Sequence, residues 1–255
     1  MMMLGSDITV AIPSYKRSGD VSTLKVAPFA KVWVPASQAD EYIAEYGVNR
    51  VVAIPDELDG NIARKRNAIL DLAETDKVLM LDDDIVKVGV FEGSQVISLT
   101  PTHFAWLITE GFRMADEAGV RLWGINQNSD AMTYMSMRPF AFLASVLGPF
   151  CGHIKAELRY DEGMAPKEDY DFFLKNIYHY RKVFRFNKYH YVAKHGTGQV
   201  GGIVGQRSMG LEWDKARAME RRWGKHFRAK GSAGGKSATG DNILNSLARP
   251  GLAGV

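Results

Sequence analysis

The chain is poor in cysteine, in long apolar runs and in net charge. Its single cysteine, Cys151, has no partner for an internal disulfide and excludes a multi-cysteine zinc site. No apolar run is long enough to cross a bilayer, and residues 1–7 lack the basic region and apolar core of a signal peptide. The expected location is therefore cytoplasmic, with no membrane partner. A formal charge of +3 is too small for a chain that is basic throughout. Two phosphate-binding signatures are also missing: Gly-x-x-x-x-Gly-Lys-Ser/Thr, and Gly-x-Gly-x-x-Gly after a strand. Their absence removes the P-loop and ordinary dinucleotide readings. No solenoid period is present. What remains is 255 residues, 46% hydrophobic and 24% charged, enough for one large α/β domain or two small ones.

Short β-branched runs alternate with helical patterns in the first half. Ile8–Pro13, Lys31–Pro35 and Arg50–Pro55 read as buried strands that stop at proline. Ser37 is placed to cap a helix to about Tyr46, with Asp40 in a capping box and Gly47 as its stop. Asn61 caps another helix to about Glu74. Such alternation predicts a mainly parallel central sheet flanked by helices, with ligands outside the carboxyl ends of the strands.

The run Val78–Leu81 then ends in three carboxylates, Asp82, Asp83 and Asp84. Side chains alternate along a strand, so Asp82 and Asp84 share a face and Asp83 takes the other. An Asp-x-Asp pair suits Mg²⁺ or Mn²⁺, hard cations that keep positions open for water and substrate phosphates. The plain alternative is an acidic turn that caps the next element. Upstream, Ser14, Tyr15, Lys16 and Arg17 follow the first strand and are placed to meet a base and phosphates. The helix from Asn61 carries Arg64, Lys65, Arg66 and Asn67; Arg66 and Asn67 read as functional, and Arg64 or Lys65 as a solvated face. Cations for a diphosphate beside anions for its metal point to a nucleotide-diphosphate donor.

Three stretches resemble a known family. Ile12-Pro13-Ser14-Tyr15-Lys16-Arg17 is similar to the opening Ile-Pro-Thr-Tyr-Asn-Arg pattern of family-two-type glycosyltransferases with the GT-A fold. Gly60–Ala68 resembles their Gly-x-x-x-Ala-Arg-Asn-x-Gly helix, with two extra residues between Ala63 and Arg66 and with Ala68 where glycine is usual. Leu79–Asp84 resembles their Asp-x-Asp strand. The resemblance implies a GT-A-like, Rossmann-like domain over 1–230; the residues beyond it read as a flexible tail over 231–255, Gly/Ser/Ala-rich over 231–240 with one short helix near 242–247. It implies donor contacts from Pro13, Ser14, Tyr15, Arg17, Arg66, Asn67, Asp82 and Asp83, the last toward the donor's ribose or sugar. It also implies a Mn²⁺ or Mg²⁺ ion on Asp82 and Asp84, completed by a late histidine, for which His195 fits and His190 competes.

Further along, Val88–Leu99 reads as a hairpin, Pro101–Ala118 as a helix closed by Gly119, and Leu122–Ile125 as a strand. Residues 126–138 are polar with three methionines, a mobile loop over a site or an irregular crossover. Gly152 can admit a sugar or backbone. His153 reads as a structural histidine and Cys151 as a small core residue. Glu168, Asp169 and Asp171 open a helix to about Tyr180, as capping and the helix dipole favour. The resembled family places a Glu-Asp pair here, which implies Asp169 as the base toward an acceptor hydroxyl, Glu168 as second choice or orienter, and Asp171 as structural. The glycine-rich stretch 196–205 reads as a lid over the donor diphosphate or a simple connection.

From Trp213 to Lys230 basic residues interleave with Trp213, Trp223 and Phe227. Such a helix can grip nucleic-acid phosphates, or its aromatics can form a core-facing stripe. Together with the uninterrupted Asp82–Asp84 and the compact size, it resembles phage-encoded enzymes associated with TET-like dioxygenases, which glycosylate hydroxymethylated pyrimidines in DNA. That resemblance implies a phage protein in the host cytoplasm with DNA as acceptor. Transfer to a glycan or small molecule stays open. So do a sugar-nucleotide nucleotidyltransferase, whose glycine-rich signature is missing after Ile12, and a non-catalytic nucleic-acid-binding module.

Overall fold

The structure, a computed structural model, describes residues 4–194, 209–229 and 247–248. Ten strands form one sheet: β1 (Ile8–Pro13), β2 (Lys31–Pro35), β3 (Val51–Ile54), β4 (Lys77–Leu81), β5 (Ile85–Glu92), β6 (Gln95–Ser98), β7 (Leu122–Asn126), β8 (Phe140–Ala141), β9 (Phe150–Ile154) and β10 (Phe184–Ala193). Their order is β3-β2-β1-β4-β9-β7-β10-β5-β6, with β8 beside β10. The β3-β2-β1-β4 and β7-β10 pairs are parallel, and β9, β5 and β8 run against their neighbours. Seven strands thus share one direction, and the carboxyl ends of β1 and β4 lie side by side.

Two apolar layers sandwich the sheet. Ile12, Val34, Leu79 and Leu81 face Tyr42 of α2 (Ala39–Tyr46) and the apolar stripe of α4 (Pro101–Ala118). Ala11, Trp33, Val78 and Met80 face α3 (Ile62–Leu72), α5 (Glu168–Tyr180) and α6 (Met209–Trp223). The strict alternation of β4 between these layers continues into Asp82 and Asp83, which leave the strand toward opposite layers. A four-residue helix, α1 (Thr23–Val26), sits between β1 and β2 and was not expected from the sequence.

Local signals behave unevenly. Asn61 caps α3 by accepting the Arg64 amide at 3.0 Å, and Gly119 closes α4 in the left-handed conformation. Ser37 does not cap α2. It lies in a 3₁₀ turn, Ala36–Gln38, and bonds Asp56 instead. The short helix expected near 242–247 lies outside the described residues except for Leu247, which with Ala248 (β12) pairs antiparallel with β11 (Phe227–Arg228).

Candidate active site

The first two carboxylates after β4 diverge, as alternation along the strand leads one to expect. Asp82 turns to the α3 layer, where Arg66 meets it at 3.1 Å. Asp83 turns to the α2 layer and is 6% exposed. It accepts from Ser14 Oγ at 2.7 Å and from Arg17 Nη1 at 2.7 Å. The Tyr42 hydroxyl stands 2.9 Å from Ser14 Oγ and accepts the Arg17 amide at 2.8 Å. Asp83, expected at the donor, therefore ties the β1 turn to the end of β4: each of its oxygens is already bonded to protein. Ser14 and Arg17 share this work and are largely enclosed with it.

Asp84 makes no ion pair among the described residues. Burial, then the charges of Asp82 and Asp83, push its carboxyl up to about 7, against a weaker pull from Arg17. No three His, Cys, Asp or Glu groups converge as a ready metal cage among the described residues. The residues present still fit a hard divalent cation. Asp84 is a half-buried carboxylate with no ion-pair partner among the described residues, and the Asp82 side chain is 32% exposed. Oxygen donors with room for water and phosphate are what Mg²⁺ or Mn²⁺ takes. His195 and the glycine-rich stretch 196–205 lie outside the described residues.

Arg66 joins this acidic end to the next one. It is 3% exposed and projects from α3 between Asp82 and Glu168, whose Oε1 lies 2.8 Å from Nη1. Its guanidinium stands 5.5 Å from the Tyr160 ring centre. Gly148 makes room for it, since a Cβ there would come 2.5 Å from Nη2. Glu168 is buried, and its Oε2 has no hydrogen-bond partner among the described residues. Burial and the adjacent Asp169 raise its pKa above the usual carboxylate range, against the pull of Arg66. Asp169 is half-buried; its Oδ2 accepts the Gly148 amide at 3.2 Å and its Oδ1 the Tyr170 amide at 2.7 Å. Asp82, Arg66, Glu168 and Asp169 are thus brought together.

The β1 turn has its own chemistry. Pro13 ends β1, and Lys16 adopts a left-handed conformation, φ 54°, held by its amide on Gln38 Oε1 at 2.8 Å. Tyr15 is half-buried, with the Lys16 and Lys65 ammonium groups 5.2 and 5.4 Å from its ring centre. Of the two residues weighed as a solvated face, Arg64 is exposed and pairs with Glu162, whereas Lys65 is buried. Lys65 pairs with Asp59 at 3.1 Å and donates to the Ser14 carbonyl. Burial lowers its pKa, and Asp59 opposes that.

Some expected site residues have structural work instead. The Asn67 amide is spent on the Tyr160 backbone, donating to its carbonyl at 3.0 Å and accepting its amide at 2.8 Å. Gly152 serves packing: a Cβ there would come 1.9 Å from the buried Trp123 indole. His153 bonds the Tyr160 hydroxyl at 2.7 Å, and burial lowers its pKa to about 4. Cys151 is buried and donates to the Leu147 carbonyl. His190 stacks on Phe91 at 4.6 Å on the β5 side of β10. Asp171 is fully buried and accepts from Arg222 and Trp223 of α6, each at 2.9 Å.

Sequence reasoning passed over Thr23, Tyr42 and Gly148, each of which works through a partner distant in sequence.

On α6, Ala216, Met219 and the partly buried Trp213 and Trp223 pack inward. A buried Lys167–Glu212 pair at 3.0 Å fixes the helix beside the start of α5. Lys215 and Arg222 bond Gly163 and Asp161. Arg217 and Arg221 of α6 and Lys225, in the 3₁₀ turn Gly224–His226 that follows it, are exposed and make no ion pair among the described residues.

The fold is that of GT-A glycosyltransferases. Glucosyl-3-phosphoglycerate synthase from Mycobacterium tuberculosis, solved with Mg²⁺ and UDP, is similar with a TM-score of 0.52 at 13% identity, over 85% of this chain and 79% of that one. The same enzyme with Mn²⁺, UDP-glucose and phosphoglyceric acid gives 0.50 at 12% identity, over 85% and 80%. S. aureus TarS 1–349 with UDP-GlcNAc gives 0.49 at 15% identity over 84% of this chain, which spans 66% of that one. No curated protein matches the sequence. The family described as TET-Associated Glycosyltransferase matches residues 8–202.

Proposed function

Because this chain belongs to the TET-associated glycosyltransferase family, we propose that it moves a sugar from a nucleotide-diphosphate donor to the hydroxyl of a 5-hydroxymethylpyrimidine in DNA. Asp82 and Asp84 would hold a divalent ion, Mn²⁺ or Mg²⁺. That ion, when bound, would offset charge on the departing nucleoside diphosphate. Tyr15 and the Lys16 ammonium line the donor's side of the β1 turn. Ser14, Arg17 and Asp83 hold that turn in place.

The acceptor hydroxyl has a pKa far above neutrality, so transfer with inversion needs a base beside it. Asp169 takes that role, with one oxygen oriented by the Gly148 amide. Glu168 stands behind it on Arg66 and fixes the start of α5. A base within duplex DNA must be flipped out to reach such a site. Arg217 and Arg221, about 6 Å apart along the helix axis, with Lys225 just beyond the helix end, offer cations for the phosphate backbone.

One observation carries the reading. Arg66 links Asp82, at the donor end, to Glu168, beside the base, in a single buried cluster. A panel of nucleotide sugars incubated with DNA containing 5-hydroxymethylcytosine or 5-hydroxymethyluracil, followed by nucleoside mass spectrometry, tests it. The expected result is a mass gain of one sugar on the modified base, with release of nucleoside diphosphate. Transfer only to a glycan or small molecule would reject the DNA acceptor. Release of pyrophosphate would replace sugar transfer with nucleotidyl transfer.

A further inference from the structure

The acidic turn between β4 and β5 is clamped from one side by a residue that lies 59 positions upstream of Asp82. Thr23 is fully buried. Its Oγ1 donates to the Asp82 carbonyl at 2.6 Å and accepts the Ile85 amide at 2.9 Å. Its own amide donates to the Asp83 carbonyl at 3.3 Å. The remaining backbone bonds of the turn come from elsewhere: the Asp82 amide donates to Pro149, and the Asp84 carbonyl accepts from Lys194. Thr23 therefore holds the backbone of the turn at both of its ends.

Three consecutive carboxylates repel one another, and that repulsion opens a turn unless its backbone is fixed. A hydroxyl is needed here for a specific reason: one atom must donate to a carbonyl and accept from an amide. Serine or threonine can do both, and valine, of the same shape, can do neither. We propose that Thr23 is a positioning residue, which sets the separation of Asp82 and Asp84 for a divalent ion while touching neither ion nor donor. The proposal rests on the reading of Asp82 and Asp84 as the ion's ligands. Partners of this kind, one step removed from the metal, change its affinity by about 10–100-fold when lost.

The test compares Thr23→Val and Thr23→Ser with the unaltered protein in two readouts, neither of which is activity. The first is amide hydrogen exchange at Ile85 without metal. The second is Mn²⁺ affinity, followed by electron paramagnetic resonance. Thr23→Val is expected to expose the Ile85 amide to exchange and to weaken Mn²⁺ binding about 10–100-fold, and Thr23→Ser to keep both near their original values. Unchanged Ile85 exchange and Mn²⁺ affinity in Thr23→Val would overturn the proposal and leave the metal reading standing. Equal loss in Thr23→Ser would overturn it too, since the methyl group and not the hydroxyl would then matter. No Mn²⁺ binding by the unaltered protein would overturn the metal reading itself, and the proposal with it. Should Thr23→Val fail to fold, the unaltered protein still decides: an Ile85 amide exchanging at the open-chain rate rules the clamp out.

Discussion

Arg66 Nη1 lies 2.8 Å from Oε1 of Glu168, and both side chains are almost fully enclosed. The other terminal nitrogen reaches Asp82, so a single cation compensates carboxylates from β4's end and from the start of α5. Removing it strands a buried charge, which typically costs about 3–5 kcal/mol. Arg66→Met is expected to lose that much stability in urea unfolding, and Arg66→Met with Glu168→Gln to recover part of it. Arg66→Lys is expected to fold but to lose most activity, because one ammonium cannot reproduce the planar fork that meets both carboxylates.

Two glycines should respond differently to alanine. At Gly152 the new Cβ meets the Trp123 indole at 1.9 Å, and that ring is packed edge-on against Phe112, Phe150 and Phe186. Gly152→Ala is expected to destabilise by about 3 kcal/mol, the upper range for overpacking. At Gly148 the Cβ meets the end of Arg66 instead. Gly148→Ala is expected to lose activity out of proportion to stability, because the guanidinium must leave the line between Asp82 and Glu168. Parallel melting curves and turnover numbers separate the two.

The exposed cations on α6 and just beyond it give a salt-dependent expectation. If Arg217, Arg221 and Lys225 each meet a phosphate, changing all three to alanine reduces the slope of log affinity against log salt by about 0.9 for each lost contact. Melting should be little altered, since none of the three makes an ion pair among the described residues. Fluorescence anisotropy with duplex DNA at several salt concentrations measures this. An unchanged slope would make these cations a solvated face.

The parts of the site legible in the sequence are those governed by local periodicity. Strand alternation through Val78–Leu81 predicts that Asp82 and Asp83 leave on opposite faces, and they do: Asp82 meets Arg66 and Asp83 meets Ser14. Asn61 was readable as a cap, since its partner is three residues away. The failures depend on distant partners. Gly152 is fixed by an indole 29 positions earlier, Asn67 by a backbone 93 positions later and Ser37 by Asp56. No periodicity announces a four-residue helix, so α1 and Thr23 were invisible. The basic helix carried two open readings; its tryptophans pack inward, as the core-stripe reading has it.

Asp84 is expected to trade stability for function, and the sign can be worked out. Its carboxyl titrates near 7 in the folded protein and, for an open chain, near 3.8. Between those values the folded state holds a proton that the unfolded state has released, so this group's contribution to stability falls as pH rises from about 4 to 7. Above 7 both states are ionised, and the cost of the buried, repelled charge is complete. Asp84→Asn removes the charge while keeping the shape. At pH 8 it is expected to raise stability by about 1–2 kcal/mol, discounted for the solvent that reaches the group. The gain should shrink as pH falls below 7 and vanish near 4. The same variant is expected to lose Mn²⁺ binding and sugar transfer. Denaturant melts at pH 5 and 8, with Mn²⁺ titrations at pH 8, measure both. A variant less stable than the original at pH 8 would mean that the Asp84 charge is compensated within the fold, and the case for an ion there would lose its physical basis.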